Sequence, residues 1–310
     1  MPTFLVTGAT GSQGGSVVRE LLALGAKVHA YVRDSSKPAA KELETLGATL
    51  LVGDFNDVDA IARALVGVKG IFLNPIPDFA DADAQRAQVQ RFIDAEQACV
   101  PRTVDTIVIS TVHSTAHHAE WLSINPNYPM SSFNHSKVTA EEAVLASGVK
   151  NLTILRPPWL MSNYVAPMCY FHFPSVASGG DHVIELRTAI RLDMPIAHLD
   201  PRDIGRLASA AFLRPEDFAG KVIAPGWRNI TIVDAVHEIE QIVGKTIKIV
   251  PITVEELKRS PGPESFMGHA WEWANEDLDE SGKLGVELRS LKTYLEDHKD
   301  QIFPSLPSQQ

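Results

Sequence analysis

The stretch "TGATGSQGGSVV", Thr7 to Val18, decides the reading of this chain. Before it runs "TFLVTG" (Thr3–Gly8), a short apolar segment ending in glycine, the pattern of a buried parallel strand. After it, "GGSVVRELLALG" places Val17, Val18, Leu21 and Leu22 on one helical face, with Gly25 as the stop signal. A glycine triplet between strand and helix, here Gly8, Gly11 and Gly14 in G-x-x-G-x-x-G spacing, serves three needs. It lets the chain turn tightly, lets backbone approach a pyrophosphate, and lets the helix pack close to the strand. The helix N-terminus then offers free N–H groups and the positive end of its dipole to phosphate. The elbow is therefore read as a dinucleotide site, with Thr7, Thr10, Gln13, Asn74 and Pro157 counted among the expected cofactor contacts.

Outward from the elbow, strands and helices alternate. "KVHAYVR" (Lys27–Arg33), "TLLVGD" (Thr49–Asp54), "GIFLNP" (Gly70–Pro75), "TIVIST" (Thr106–Thr111) and "NLTILRPP" (from Asn151) read as strands. Helices are expected near Pro38–Leu46, Asp57–Val66, Phe79–Ala98 and Ser136–Ser147, and the segment from Val112 to Met130 as a long polar loop. Such alternation gives β-α-β units and a parallel sheet covered on both faces, with ligands at the carboxyl ends of its strands. The later chain is less regular. Strands are expected at "HVIEL", "KVIAP" and "TIKIVP", and helices near Asp203–Phe212, Ile232–Val243 and Glu287–His298. The fold class is α/β. A doubly wound dinucleotide-binding domain is expected over residues 1–155, and a smaller α/β substrate domain over 156–310, from which late segments return to the first sheet.

Composition sets the broad limits. The 310 residues are 45% hydrophobic and carry a formal charge of -10, so neither nucleic acid nor an anionic membrane is the expected partner. Two distant cysteines, Cys99 and Cys169, form neither a disulfide framework nor a zinc pattern. With no export leader and no run of about 18 apolar residues, a cytoplasmic protein is expected. No metal site is expected: the adjacent His117 and His118 read as a solvated loop.

The end of the second strand bears on the choice of dinucleotide. A ribose 2′-hydroxyl calls for a carboxylate there, a 2′-phosphate for a cation. "YVRDSSK" offers Arg33 and, four residues on, Lys37, which favours NADP(H); Asp34 keeps the NAD reading open. Asp54, after the third strand, either faces the adenine or belongs to the start of the next helix.

These segments carry a resemblance. "FLVTGATGSQGGSVVRELLALGAKVHAYVRDSSK", "GDFND" and "LRPPWLMSNYV" resemble the NmrA-like branch of the atypical short-chain dehydrogenase/reductase superfamily, and "PRDIGRLASAAF", "NITIVDAV" and "TVEEL" follow in the expected order. The resemblance implies a Rossmann domain with a smaller C-terminal substrate domain and a preference for NADP(H). It also implies one of two functions: a redox sensor that regulates a protein partner, or a reductase of quinones, enones or aromatic compounds.

Short-chain dehydrogenases use Tyr-x-x-x-Lys on one helix, the tyrosine moving a proton and the lysine lowering its pKa while holding the nicotinamide ribose. "FNHSKVTAEEAV" keeps the lysine as Lys137, but Phe133 stands four residues before it and has no proton to give. Candidates for the proton are Lys137 itself, His113 at the end of the fifth strand, Tyr128 in the loop, and His135. On a helix, His135 points about 160° from Lys137. Beyond "LRPP", Trp159, Tyr164 and Tyr170 lie in an aromatic-rich segment. It is read as a wall for a small aromatic or carbonyl substrate, or alternatively as core or a partner surface. "GHAWEWANEDLDE" (Gly268–Glu280) reads as packing or interface. The reading is an NADP(H)-dependent oxidoreductase lacking the usual tyrosine, with the sensor as its alternative; the oligomeric state is left open.

Overall fold

A computed structural model describes residues 1–78, 81–124, 131–178, 183–253, 256 and 284–304. Six apolar runs become β1 (Thr3–Val6), β2 (Lys27–Val32), β3 (Thr49–Val52), β4 (Val68–Leu73), β5 (Thr106–Ser110) and β6 (Asn151–Leu155). A late strand, numbered β10 in chain order (Lys221–Ile223), joins them beside β6. The sheet order is β10-β6-β5-β4-β1-β2-β3, and each neighbouring pair is parallel. Chain order runs outward in both directions from β1, so the crevice of the sheet opens at the carboxyl ends of β1 and β4.

Side-chain alternation divides the core between two faces. Phe4 and Val6 of β1 join Val17, Val18 and Leu21 of α1 (Ser12–Ala23) and Leu43 of α2 (Pro38–Thr45). Leu5 points the other way, into the cluster of Ile61 from α3 (Val58–Ala64), Phe92 from α4 (Ala84–Ala98) and Val144 from α6 (Ser131–Ala146). Pro201–Leu213, numbered α8, returns to the first face, where Ile204 and Leu207 pack with α1.

The irregular half builds a second core around two small sheets. In one, β9 (Pro195–Leu199) pairs in parallel with β7 (Trp159–Leu160) and antiparallel with β11 (Arg228–Thr231). In the other, β8 (Val183–Thr188) and β12 (Thr246–Pro251) run parallel. Along this half of the chain come α7 (Met168–His172), α9 (Pro215–Phe218), which packs with the first core through Phe218, α10 (Ile232–Val243) and α11 (Leu291–Asp297). A capping box between Thr231 and Asp234 starts α10.

Several expectations are corrected. The segment after β5 is not a plain loop. It forms a 3-10 turn, His113–His117, and then α5 (His118–Ile124). Helix α6 starts at Ser131, five residues before the expected Ser136. β7, β9 and β11 were not expected, being short runs without alternation. The last helix spans only Leu291–Asp297 of the expected Glu287–His298.

Candidate functional site

The glycine elbow has the geometry its spacing implies. Gly8 adopts φ +60, a left-handed conformation that a β-carbon disfavours. A β-carbon on Gly14 would collide with the Gly8 carbonyl, so α1 packs on the turn only with glycine there. Gly11 is the N-cap of α1 and makes no side-chain cap bond, leaving the first-turn amides to a ligand. Beside the elbow lies a cleft of about 450 Å³, lined by Gly8, Thr10, Gly11, Arg33, Asp54 and Asn74 among others.

The Thr7 side chain is fully buried, donates to the Phe72 carbonyl at 3.1 Å and accepts the Asn74 amide at 2.8 Å. The hydroxyl fastens β1 to the end of β4. Gln13 accepts a hydrogen bond from Ser110 at the end of β5, 2.6 Å away. Pro157 is buried, and its carbonyl accepts the His113 amide at 3.0 Å, joining the ends of β5 and β6.

The charged residues after β2 take different parts. Asp34 accepts both the amide and the hydroxyl of Ser36, at 2.8 and 2.6 Å, which holds its carboxyl below the usual range. Lys37 stands 3.9 Å from Asp34, exposed, without lining the cleft itself. Arg33 is exposed, lines the cleft and makes no ion pair among the described residues. Asp54 closes a turn by accepting the amides of Asn56 and Asp57, yet also lines the cleft. The N-cap of α3 is Asp57, whose carboxylate accepts the Ala60 amide at 2.8 Å. Tyr31 was overlooked in the sequence. Its hydroxyl donates to the Asp54 carbonyl at 2.8 Å, and burial pushes its pKa up to about 12.

At the neighbouring end of the sheet, Asn134, Lys137 and Glu141 share the buried face of α6. Lys137 is 5% exposed; burial pushes its amine down to about 8, against an upward pull from Glu141. The Phe133 ring, in the tyrosine's place, lies 5.7 Å from Nζ, which makes no hydrogen bond among the described residues. The turn after β5 is fastened to this face. Ser114 donates to Asn134 at 2.7 Å, and Thr111 and Thr115 donate to Glu141 at 2.6 and 3.2 Å. Glu141 also holds Arg156 through two bonds of 3.1 and 2.6 Å. Only the i,i+4 spacing of Lys137 and Glu141 hints at this cluster in the sequence.

His113 lies buried in that turn with neither ring nitrogen hydrogen-bonded, its pKa lowered to about 4 by burial first and then by His117 and Arg156. His135 is corrected: it is exposed on another side of α6, its ring 5.9 Å from that of His118. The pair His117–His118 is no solvated loop. His118 is buried, and His117 lies 3.6 Å from Glu120. No cluster of three metal-ligating side chains exists among the described residues. Tyr128 and Gly268–Glu280 lie outside the described residues.

The aromatic segment is core. Trp159 and Tyr164 are buried with Phe173 under the small sheets, and Tyr164 bonds His198 Nε2 at 2.8 Å. Tyr170 donates to the Pro304 carbonyl at 2.9 Å. None of the three lines the cleft beside the elbow, because a dense aromatic run reads alike whether it faces a ligand or other side chains. Met168 and Phe171 of α7 point outward, the latter 45% exposed.

A doubly wound parallel sheet with a glycine elbow after its first strand defines a Rossmann-type protein. The model of the NmrA-like family matches residues 2–296, and the chain belongs to that family. Sterol demethylase protein B of Methylococcus capsulatus is 32% identical over 174 residues, 51% of this chain and 52% of that protein, so the match spans about half of each. Among solved structures, the negative transcriptional regulator NmrA in complex with NADP is 21% identical, with a TM-score of 0.74 over 96% of this chain and 94% of its own. An NADPH-dependent quinone oxidoreductase of Escherichia coli, complexed with NADPH, is 20% identical, with a TM-score of 0.69 over 95% and 99%. No helix among the described residues is long and apolar enough to cross a membrane.

Proposed function

We propose that this chain is an NADP(H)-dependent oxidoreductase that works without the usual tyrosine and reduces a flat carbonyl, enone or quinone-like small molecule. The observation that carries the reading is Lys137, a buried amine that makes no hydrogen bond among the described residues, beside a phenylalanine in the tyrosine's place; burial pushes its pKa down to about 8. The elbow suits the cofactor: the uncapped amides of α1 meet the pyrophosphate, and Arg33, unengaged by Asp34, meets the 2′-phosphate. When bound, the reduced nicotinamide supplies a hydride. Lys137 then gives one N–H proton to the substrate oxygen, and the resulting neutral amine recovers a proton from water.

The sensor is kept as a second reading, because the aromatic segment turns inward while Phe171 and Met168 face solvent. NADPH consumption against quinones, enones and aromatic ketones separates the two. The reductase predicts turnover that falls about 100-fold or more in Lys137→Ala. In Arg33→Ala it predicts a KM for NADPH raised about tenfold, with that for NADH unchanged. Tight NADPH binding with nothing reduced favours the sensor.

A further inference from the structure

Lys137 and Glu141 stand one helical turn apart, a spacing at which lysine and glutamate pair on an open helix surface. Here the carboxylate is already taken. Its Oε1 accepts from Thr111, Thr115 and Arg156 Nε, and its Oε2 from Arg156 Nη2. The two-pronged guanidinium contact fixes the plane of the carboxylate, and the Thr111 hydroxyl, 2.6 Å away, is a further donor to it. Among the described residues, Lys137 Nζ makes no ion pair and lies 5.7 Å from the centre of the Phe133 ring.

We propose that Arg156 is a positioning residue for the reaction: by holding the Glu141 carboxylate in a buried ion pair, it withholds that charge from the Lys137 amine and sets the pH at which Lys137 releases its proton. The proposal rests on the reading of Lys137 as proton donor. The charged group set against the amine is Glu141 on α6; Glu141 is held in turn by Arg156 after β6, and Arg156 and His117 bear on His113 in the turn after β5. His113 is neutral over the working range, its own pKa being about 4. Burial is the larger effect on the amine, and Glu141, paired with Arg156, pulls the other way. Removing the Arg156 charge leaves a buried anion one turn away and draws the lysine pKa up. Removing the Glu141 charge leaves a buried cation and drives it further down.

The test follows Lys137 by the 13Cε shift of 13C-lysine-labelled full-length protein, its signal assigned by loss in Lys137→Arg. The expected midpoint rises by about one pH unit in Arg156→Gln, falls in Glu141→Gln, and returns toward the wild-type value in Arg156→Lys. Thr111→Val, which removes one donor to Glu141 and no charge, gives a smaller rise and keeps the test available if the charge variants do not fold. The alkaline limb of kcat moves with each midpoint. An unmoved midpoint, or shifts of one sign in both charge variants, overturns the role of Arg156. Turnover surviving in Lys137→Ala instead overturns the reading of Lys137 as proton donor.

Discussion

Replacing Lys137 with methionine should stabilise the folded chain while abolishing turnover. Burial moves the amine from its ordinary 10.5 to about 8. At about 1.4 kcal/mol per pH unit, that displacement costs the folded state about 3 kcal/mol at pH 7. Methionine fills a similar volume without a charge to desolvate, and it forgoes the amine's contact with the Phe133 ring, worth about 0.5–1 kcal/mol. A net gain of about 2 kcal/mol remains, which for a chain of this length raises Tm by about 3 °C. The sign with pH is fixed. A lysine whose folded pKa lies below its unfolded one carries its full penalty below about pH 8. The penalty fades as pH rises toward 10.5, where the unfolded chain also gives up the proton. Thermal unfolding of both proteins at pH 7 and pH 10 is the assay, and the gain at pH 7 should largely vanish at pH 10. A variant no more stable than wild type at pH 7, or a gain indifferent to pH, would refute the argument that the amine is held against its ordinary charge.

Two further outcomes test the elbow and the aromatic core. Gly14→Ala places a β-carbon against the Gly8 carbonyl, so α1 must move; fluorescence titration should show NADPH binding weakened at least about tenfold, with a lowered Tm. Tyr164→Phe removes the bond to His198 and should cost about 1–3 kcal/mol in urea unfolding, while the KM for the reduced substrate stays unchanged.

The sheet was legible because strands buried on both faces must read as apolar runs, and "TFLVTG" through "NLTILRPP" do so. The elbow was legible because only glycine meets the demands at Gly8 and Gly14. The turn after β5 was not. Its residues are polar yet buried, because Ser114 and Thr115 find their partners on α6, 20 and 26 residues away. A local pattern sees the polarity and misses the partner. The same blindness hid the start of α6, where "SSFNHS" has no apolar period. It also left open the direction of the Thr7 hydroxyl, which turns to β4. Trp159 and Tyr164 erred the other way, since aromatic density records burial and not what it is buried against.

The face of α6 combines demands that conflict. Its anchor is a buried charge pair, Glu141 with Arg156, which ties the helix to the ends of β5 and β6. One turn earlier, Lys137 is buried with no anion among the described residues to accept from it, at a cost in stability. A lysine serving only to grip a ribose hydroxyl would do so as an ordinary ammonium, and nothing in that task calls for taking the nearby carboxylate out of its reach. Phe133 sharpens the point. A tyrosine there would carry the proton and could leave the lysine charged throughout; a phenylalanine offers only the face of its ring. With the hydroxyl gone, the group on the buried face of α6 that the proposed reductase would use to exchange a proton is the amine itself, and in that reading the Glu141–Arg156 pair is the arrangement that leaves it free to do so.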